Sequence, residues 1–241
     1  MTPRAAIPSS WADRLTDGPI SLGQDLATTE RGTSNPSGLA VQQRVGRQVM
    51  TRLMVSWKTA DPSVTRQVLA AVLDDIEAKR MKPRRLVVDA SNEKFFASDL
   101  RKQFGGRVAV ELIGGNNKIK FRGEDLDAKT LLGNLYVSAI EDGFLLLPAG
   151  EWIMLDHRLV KREAGGFQTD TGPNGEHGDT FDAGKLAYYG LQSTSGTVRA
   201  EALQVGNFGG MNSDSKRPVF TDPWMDGIAR QNLEEMSSHL A

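Results

Sequence analysis

Arg84–Leu100 reads RRLVVDASNEKFFASDL, and its opening residues decide the fold. Arg85–Asp89 (RLVVD) is short, apolar without alternation and β-branched, the pattern of a strand buried on both faces. It is entered directly from a helical stretch. Asp61-Pro62 supplies an N-cap and a first-turn proline, and Val64, Val68, Leu69, Val72, Leu73 and Ile76 recur at helical spacing, predicting a helix to about Arg80. Upstream, Pro19–Ala27 predicts a strand with Ile20, Leu22 and Leu26 on one face and Ser21, Gly23 and Asp25 on the other. A strand, a helix and a second strand imply parallel pairing through a right-handed crossover.

Between the first strand and that helix, Leu39–Val45 and Val49–Trp57 flank a turn at Gly46-Arg47, so the first three strands read as an antiparallel meander. Downstream, Phe95, Phe96, Leu100 and Phe104 predict a second helix closed by Gly105-Gly106, and Val108–Ile113 a fifth strand. The expected class is therefore α/β, a five-stranded mixed sheet flanked by helices. Glu124–Glu141 and Trp152–Val160 read as further helices, Gly165–Gly178 as loop or hairpin, and Asp179–Leu191 as a last core helix. Phe144–Leu147 is too short to assign. Residues 1–18 lack apolar periodicity and read as an arm or linker, residues 19–192 as one domain, and residues 193–241 as a polar tail with a weakly amphipathic stretch at 224–240.

Composition narrows the chemistry. The 241 residues contain no cysteine, which removes disulfides, thiolate nucleophiles and cysteine zinc sites, and the three histidines are too dispersed for a histidine zinc site. Any metal is expected to be a hard cation on carboxylate oxygens. No window approaches the roughly 18 apolar residues of a membrane span, so a soluble, intracellular protein is expected. The net charge of −1 lacks the basic bias of a DNA-coating protein. A nucleic-acid enzyme with an acidic pocket keeps such a balance when cations gather beside the pocket. Arg80, Lys82, Arg84 and Arg85, then Lys118, Lys120 and Arg122, are the candidates, although such runs are also simply solvated faces.

If the fourth strand lies beside the first, Asp25 and Asp89 fall at adjacent carboxyl ends, the edge where open α/β sheets place their sites. Two aspartates there repel each other, and a structure that keeps both ionised needs a cation between them. Magnesium or manganese suits that place. Asp179 opens the last helix in GEHGDTFDAGKLA, with Asp182 one turn on and His177 just before it. Phosphodiester hydrolysis profits from such ligands, because two cations about 3.5–4 Å apart stabilise both the attacking hydroxide and the departing oxygen. Each residue also has a bland role. Asp25 suits a turn, Asp89 and Asp179 suit helix caps, His177 suits a loop, and Asp182 suits a pair with Lys185.

The segments LGQDLATTERGTSNPSGLAV, WKTADP, RRLVVDASNEKFFASDL and NGEHGDTFDAGKLAYYGL together span Leu22 to Leu191. In order and spacing the sequence resembles the C-terminal nuclease domain of the large terminase subunits of tailed bacteriophages. The resemblance implies an RNase H-like fold and an endonuclease that cuts concatemeric double-stranded viral DNA around packaging, using Mg²⁺ or Mn²⁺. It implies Asp25, Asp89 and Asp179 as catalytic metal ligands, with His177 and Asp182 as accessory ones. It also implies work at the procapsid in the host cytoplasm, alongside a portal protein, a small terminase subunit and a terminase ATPase domain. No GxxxxGK[ST] loop is present, so translocation is not expected of this chain, which reads as an excised domain or a separately encoded nuclease. Two rivals stay open: another RNase H-like nuclease acting on junctions or RNA–DNA hybrids, and a non-catalytic module that binds DNA or the portal.

Overall fold

The computed structural model describes residues 4–5, 10–28, 36–114, 117–121, 124–163, 166–173 and 177–192. The polar tail, Arg122 and the 224–240 stretch lie outside them. The chain starts with β1 (Arg4–Ala5) and a 3₁₀ turn, Trp11–Arg14, then forms β2 (Ile20–Asp25), β3 (Ser37–Val45) and β4 (Gln48–Trp57). These three strands are the expected antiparallel meander, and Gly46 turns the β3–β4 hairpin at φ 61°. Helix α1 (Pro62–Ala78) starts where Asp61 accepts the Ser63 N–H, and just past its end Arg80 takes a left-handed conformation at φ 58°.

Strand β5 (Arg85–Asp89) then pairs parallel with β2, Leu22 opposite Leu86 and Gln24 opposite Val88. Helix α2 (Lys94–Phe104) leads to β6 (Ala109–Ile113), parallel to β5. The five expected strands thus form the sheet in the order β4-β3-β2-β5-β6, and the two-residue strands β1 and β9 (Leu145–Leu146) add to β4.

Two helix boundaries differ from expectation: the helix expected over Trp152–Val160 ends at Arg158, with Val160 in a strand, and the one expected from Glu124 starts later. Residues 124–127, expected to be helical, form β8 (Glu124–Asp127), which pairs with β7 (Lys118–Phe121), and α3 (Ala128–Glu141) starts only after them. Asp127 sets the start: it is extended, and its carboxylate accepts the Thr130 N–H at 2.9 Å, an N-cap that ends the strand and opens the helix. After α4 (Glu151–Arg158) the chain forms the hairpin β10 (Val160–Glu163) and β11 (Gly166–Thr169), then α5 (Asp179–Gln192).

The sheet lies between two helical layers. Leu22, Leu39, Leu53, Leu86 and Val88 pack against Leu69, Leu73 and Ile76 of α1 and Leu100 and Phe104 of α2. Trp11, in the segment expected to be a linker, joins this core at 4% exposure and donates its indole N–H to Asp75. The opposite face carries α5, with α3 and α4 beside it. Glycines set the closeness of α5: a Cβ on Gly23 would lie 2.1 Å from the Ala183 carbonyl oxygen, and one on Gly38 2.5 Å from that of Asp179. Gly190 answers from the helix, where a Cβ would lie 2.0 Å from Ser21 Oγ. Alternation along β2 therefore turns Ser21, Gly23 and Asp25 toward α5.

Candidate active site

Asp25 is the last residue of β2 and Asp89 the last of β5, and the parallel register that pairs Gln24 with Val88 sets the two at neighbouring carboxyl ends. Asp25 pairs in turn with Gly38, against which the first residue of α5 packs. The small residues that seat α5 on the sheet thus also bring its amino end, with Asp179 and Asp182, to the edge that carries Asp25 and Asp89.

The electrostatics record the crowding. Burial, and then the charges of Asp182, Asp89 and Asp179, hold the Asp25 carboxyl well above the usual carboxylate range, and Lys185 only partly offsets this. Lys185, 7% exposed, places its Nζ 2.5 Å from Asp182 Oδ1. Burial alone would lower its pKa, but Asp182, with Asp25 and Asp89, more than reverses this and keeps the ammonium charged. Asp179 is 3% exposed. Burial and the adjacent Asp156 push its carboxyl up to about 8, against the lowering effect of the His177 N–H, which it accepts at 3.4 Å. Asp89 accepts the Ser91 N–H at 2.7 Å, which orders the turn into α2. A cleft of about 310 Å³ opens here, lined by Asp89, Asp182, Lys185, Lys129, Ser91 and Asn92 among others.

The donor chemistry fits a hard divalent cation: the acidic groups offer oxygen only, and the repulsion that raises the Asp25 carboxyl is what a cation between them would relieve. Among the described residues, no three His, Asp or Glu side chains converge into a finished metal cage. Asp182 is drawn to Lys185, while Asp179 stands by Asp156 and takes the His177 N–H. The His177 ring has its Nδ1 3.4 Å from Thr171 Oγ1.

Of the basic residues expected beside the pocket, Arg80, Lys82, Arg84, Arg85 and Lys118 are not among those that line the cleft. Arg85 needs correcting as a DNA contact: it is 1% exposed and forms an ion pair with Glu111 at 2.5 Å. Its position in β5 leaves it on the helix-covered face, out of reach of a phosphate. Arg84 stands at the amino end of β5, where its N–H bonds to the Ile20 carbonyl, the far end of the strand from Asp89. Lys118 and Lys120 are on β7, where the register sets Asp127 and Asp125 opposite them. The cations that do line the cleft are Lys129 and Lys185. In the sequence, Lys185 stands out only as a partner for Asp182, through its i, i+3 spacing from that residue.

Comparison with protein-family models and with curated proteins found no match to the sequence. Solved structures do match. The large terminase nuclease from thermophilic phage G20c, with bound magnesium, is similar over 72% of this chain and 82% of its own, with 18% identity and a TM-score of 0.52. The nuclease domain of the large terminase subunit of bacterial virus Sf6, with manganese, is similar over 78% of this chain and 98% of its own, at 12% identity and a TM-score of 0.47. The human cytomegalovirus terminase nuclease domain, manganese-soaked, is similar over 80% and 91%, at 10% identity and a TM-score of 0.47. The chain has the RNase H-like fold of terminase nuclease domains.

Proposed function

We propose that this chain is a metal-dependent endonuclease that hydrolyses phosphodiester bonds of double-stranded viral DNA during genome packaging. The observation that carries the reading is the sheet edge shared by Asp25 and Asp89, on adjacent parallel strands, with Asp179 and Asp182 at the start of the helix packed on that edge. The fold shared with terminase nucleases supports it.

Asp25, Asp89 and Asp179 would hold the cations, with Asp182 and His177 as accessory groups. Two Mg²⁺ or Mn²⁺ ions, when bound, supply an activated water and charge stabilisation at the departing oxygen. The chain's own part is placement. The β2–β5 register fixes the spacing of Asp25 and Asp89, and the tight seat of α5 brings the other carboxylates over them. Lys185 keeps its charge at the floor of the cleft, where it offsets the carboxylates and offers an ammonium to a phosphate oxygen. Lys129, on the first turn of α3, offers a second cation to the DNA backbone. Nothing in this set reads base edges, so cutting is expected to be largely independent of sequence. The proposed partners are duplex DNA, a terminase ATPase domain, the portal and a small terminase subunit, at the procapsid in the host cytoplasm. Among the described residues, no helix is long and apolar enough to cross a membrane.

The direct test incubates the protein with supercoiled plasmid in Mn²⁺, Mg²⁺ or EDTA. Nicked and linear products are expected with either metal and none with EDTA, and metal-independent cutting would remove the mechanism. Rates on duplex, four-way junction and RNA–DNA hybrid separate the packaging reading from its RNase H-like rivals, with duplex expected to be cut fastest.

A further inference from the structure

Helix α5 begins without a cap of its own. Gly178, just before its first residue, has no side chain to offer and sits at φ 75°, and a Cβ there would lie 2.5 Å from Val160 Cγ2. No Ser, Thr, Asn or Asp can take that place without strain. The first N–H groups of a helix lack partners within it, and here they are buried, so an acceptor must come from elsewhere.

Asp156 supplies it from the last turn of α4, 22 residues upstream of Gly178. Its carboxylate, 4% exposed, accepts the Gly178 N–H at 2.9 Å on one oxygen and the Thr180 N–H at 2.7 Å on the other. The Thr180 hydroxyl donates to that second oxygen as well. Behind Asp156 the next side chain is also fixed. His157 Nδ1 lies 2.9 Å from the Ile153 carbonyl, which can only accept, so this nitrogen carries the proton and Nε2 accepts from the Tyr136 hydroxyl at 3.0 Å. The two main-chain bonds of Asp156 bracket Asp179, one on each side of it in sequence.

We infer that Asp156 is a positioning residue, a cap supplied by a different helix that fixes where α5 begins and so holds Asp179 and Asp182 in place for a divalent cation. The inference rests on the reading of those carboxylates as cation ligands. The choice of a carboxylate is the telling feature. Each of its two oxygens accepts one main-chain N–H, which a neutral amide with a single acceptor oxygen cannot match, and its charge, set at the helix amino end beside Asp179, adds to the negative field that attracts a cation.

The test is calorimetric titration of the intact protein with MnCl₂, with melting curves on the same samples. Asp156→Asn retains one acceptor but turns an NH₂ toward the other N–H donor. It is expected to fold and to raise the Mn²⁺ dissociation constant by about 10-fold or more, as loss of an outer-shell partner of a metal ligand does. Thr180→Val, which removes only the hydroxyl donor, is expected to weaken Mn²⁺ binding by less, and Thr180→Ser to keep wild-type affinity. Asp61→Ala, which removes the cap of α1 on the other face of the sheet, is expected to lower the melting temperature with Mn²⁺ affinity unchanged. Wild-type affinity in Asp156→Asn would overturn the inference, as would a loss of affinity no larger than that of Asp61→Ala. Should Asp156→Asn not fold, Thr180→Val decides by the same readout. A wild-type protein that binds no Mn²⁺ overturns the cation-site reading itself, an outcome distinct from equal binding by wild type and variant.

Discussion

Asp89 and Asp179 do different work at the same edge. Asp89 faces the cleft, and Asp89→Asn keeps the oxygen that accepts the Ser91 N–H while removing the charge. Plasmid cleavage by this variant is expected to fall more than about a hundredfold with its far-UV circular dichroism unchanged. Asp179 reports through pH. Its folded-state pKa of about 8 stands above the ordinary 3.8, so the folded protein holds this proton more tightly than the unfolded chain does. The resulting stability is complete below the ordinary value and is lost as pH rises through about 8. In EDTA the melting temperature is therefore expected to fall between about pH 4 and pH 8, and Asp179→Asn to flatten that fall. At the alkaline end, Mn²⁺ is expected to restore wild-type stability by binding the folded state alone. Both aspartates were legible in the sequence because a strand end and a helix start are local patterns. Asp156 was not: it lies on a short helix far upstream, and only the tertiary fold brings it to Gly178.

Elements with a clear apolar pattern are the legible ones. The meander, α1 and α5 follow from alternation or helical spacing, β5 from an unbroken β-branched run, and the parallel pairing of β2 with β5 from the connection between them. The misread boundary before α3 has a specific cause. Leu126 and Leu131 fit a helical spacing, but Leu126 belongs to β8, opposite Ile119, and the Asp127 cap separates the two. Phe95 misled in a smaller way: it stands 96% exposed, while Phe96 lies beneath the Arg66 guanidinium, and only Ala97, Leu100 and Phe104 of that helix are buried. The glycines under α5 gave no periodic signal, yet they fix how near the helix sits. Gly23→Ala is expected to destabilise the protein by about 3 kcal/mol or more, the upper end of overpacking costs, since its Cβ would meet helix backbone rather than a movable side chain. Thermal or urea unfolding checks this, and a loss below about 1 kcal/mol would contradict the tight seat.

For the whole molecule, the net charge of −1 leaves DNA binding undecided, and the structure buries Arg85 while Lys129 and Lys185 line the cleft, which makes those two lysines the proposed phosphate contacts. Duplex binding is expected to run through phosphates, so the association constant should fall steeply with added salt, and Lys129→Ala should reduce that slope by about one. A slope unchanged in Lys129→Ala would place the DNA elsewhere. The central claim is that carboxylates gathered on one sheet edge make a cation-dependent nuclease, and it is tested most directly by supercoiled-plasmid cleavage in Mn²⁺ with wild type and Asp89→Asn side by side. The account predicts nicked and linear DNA from wild type, none in EDTA, and intact plasmid with the folded variant. Cutting by Asp89→Asn at the wild-type rate, or cutting in EDTA, would contradict it.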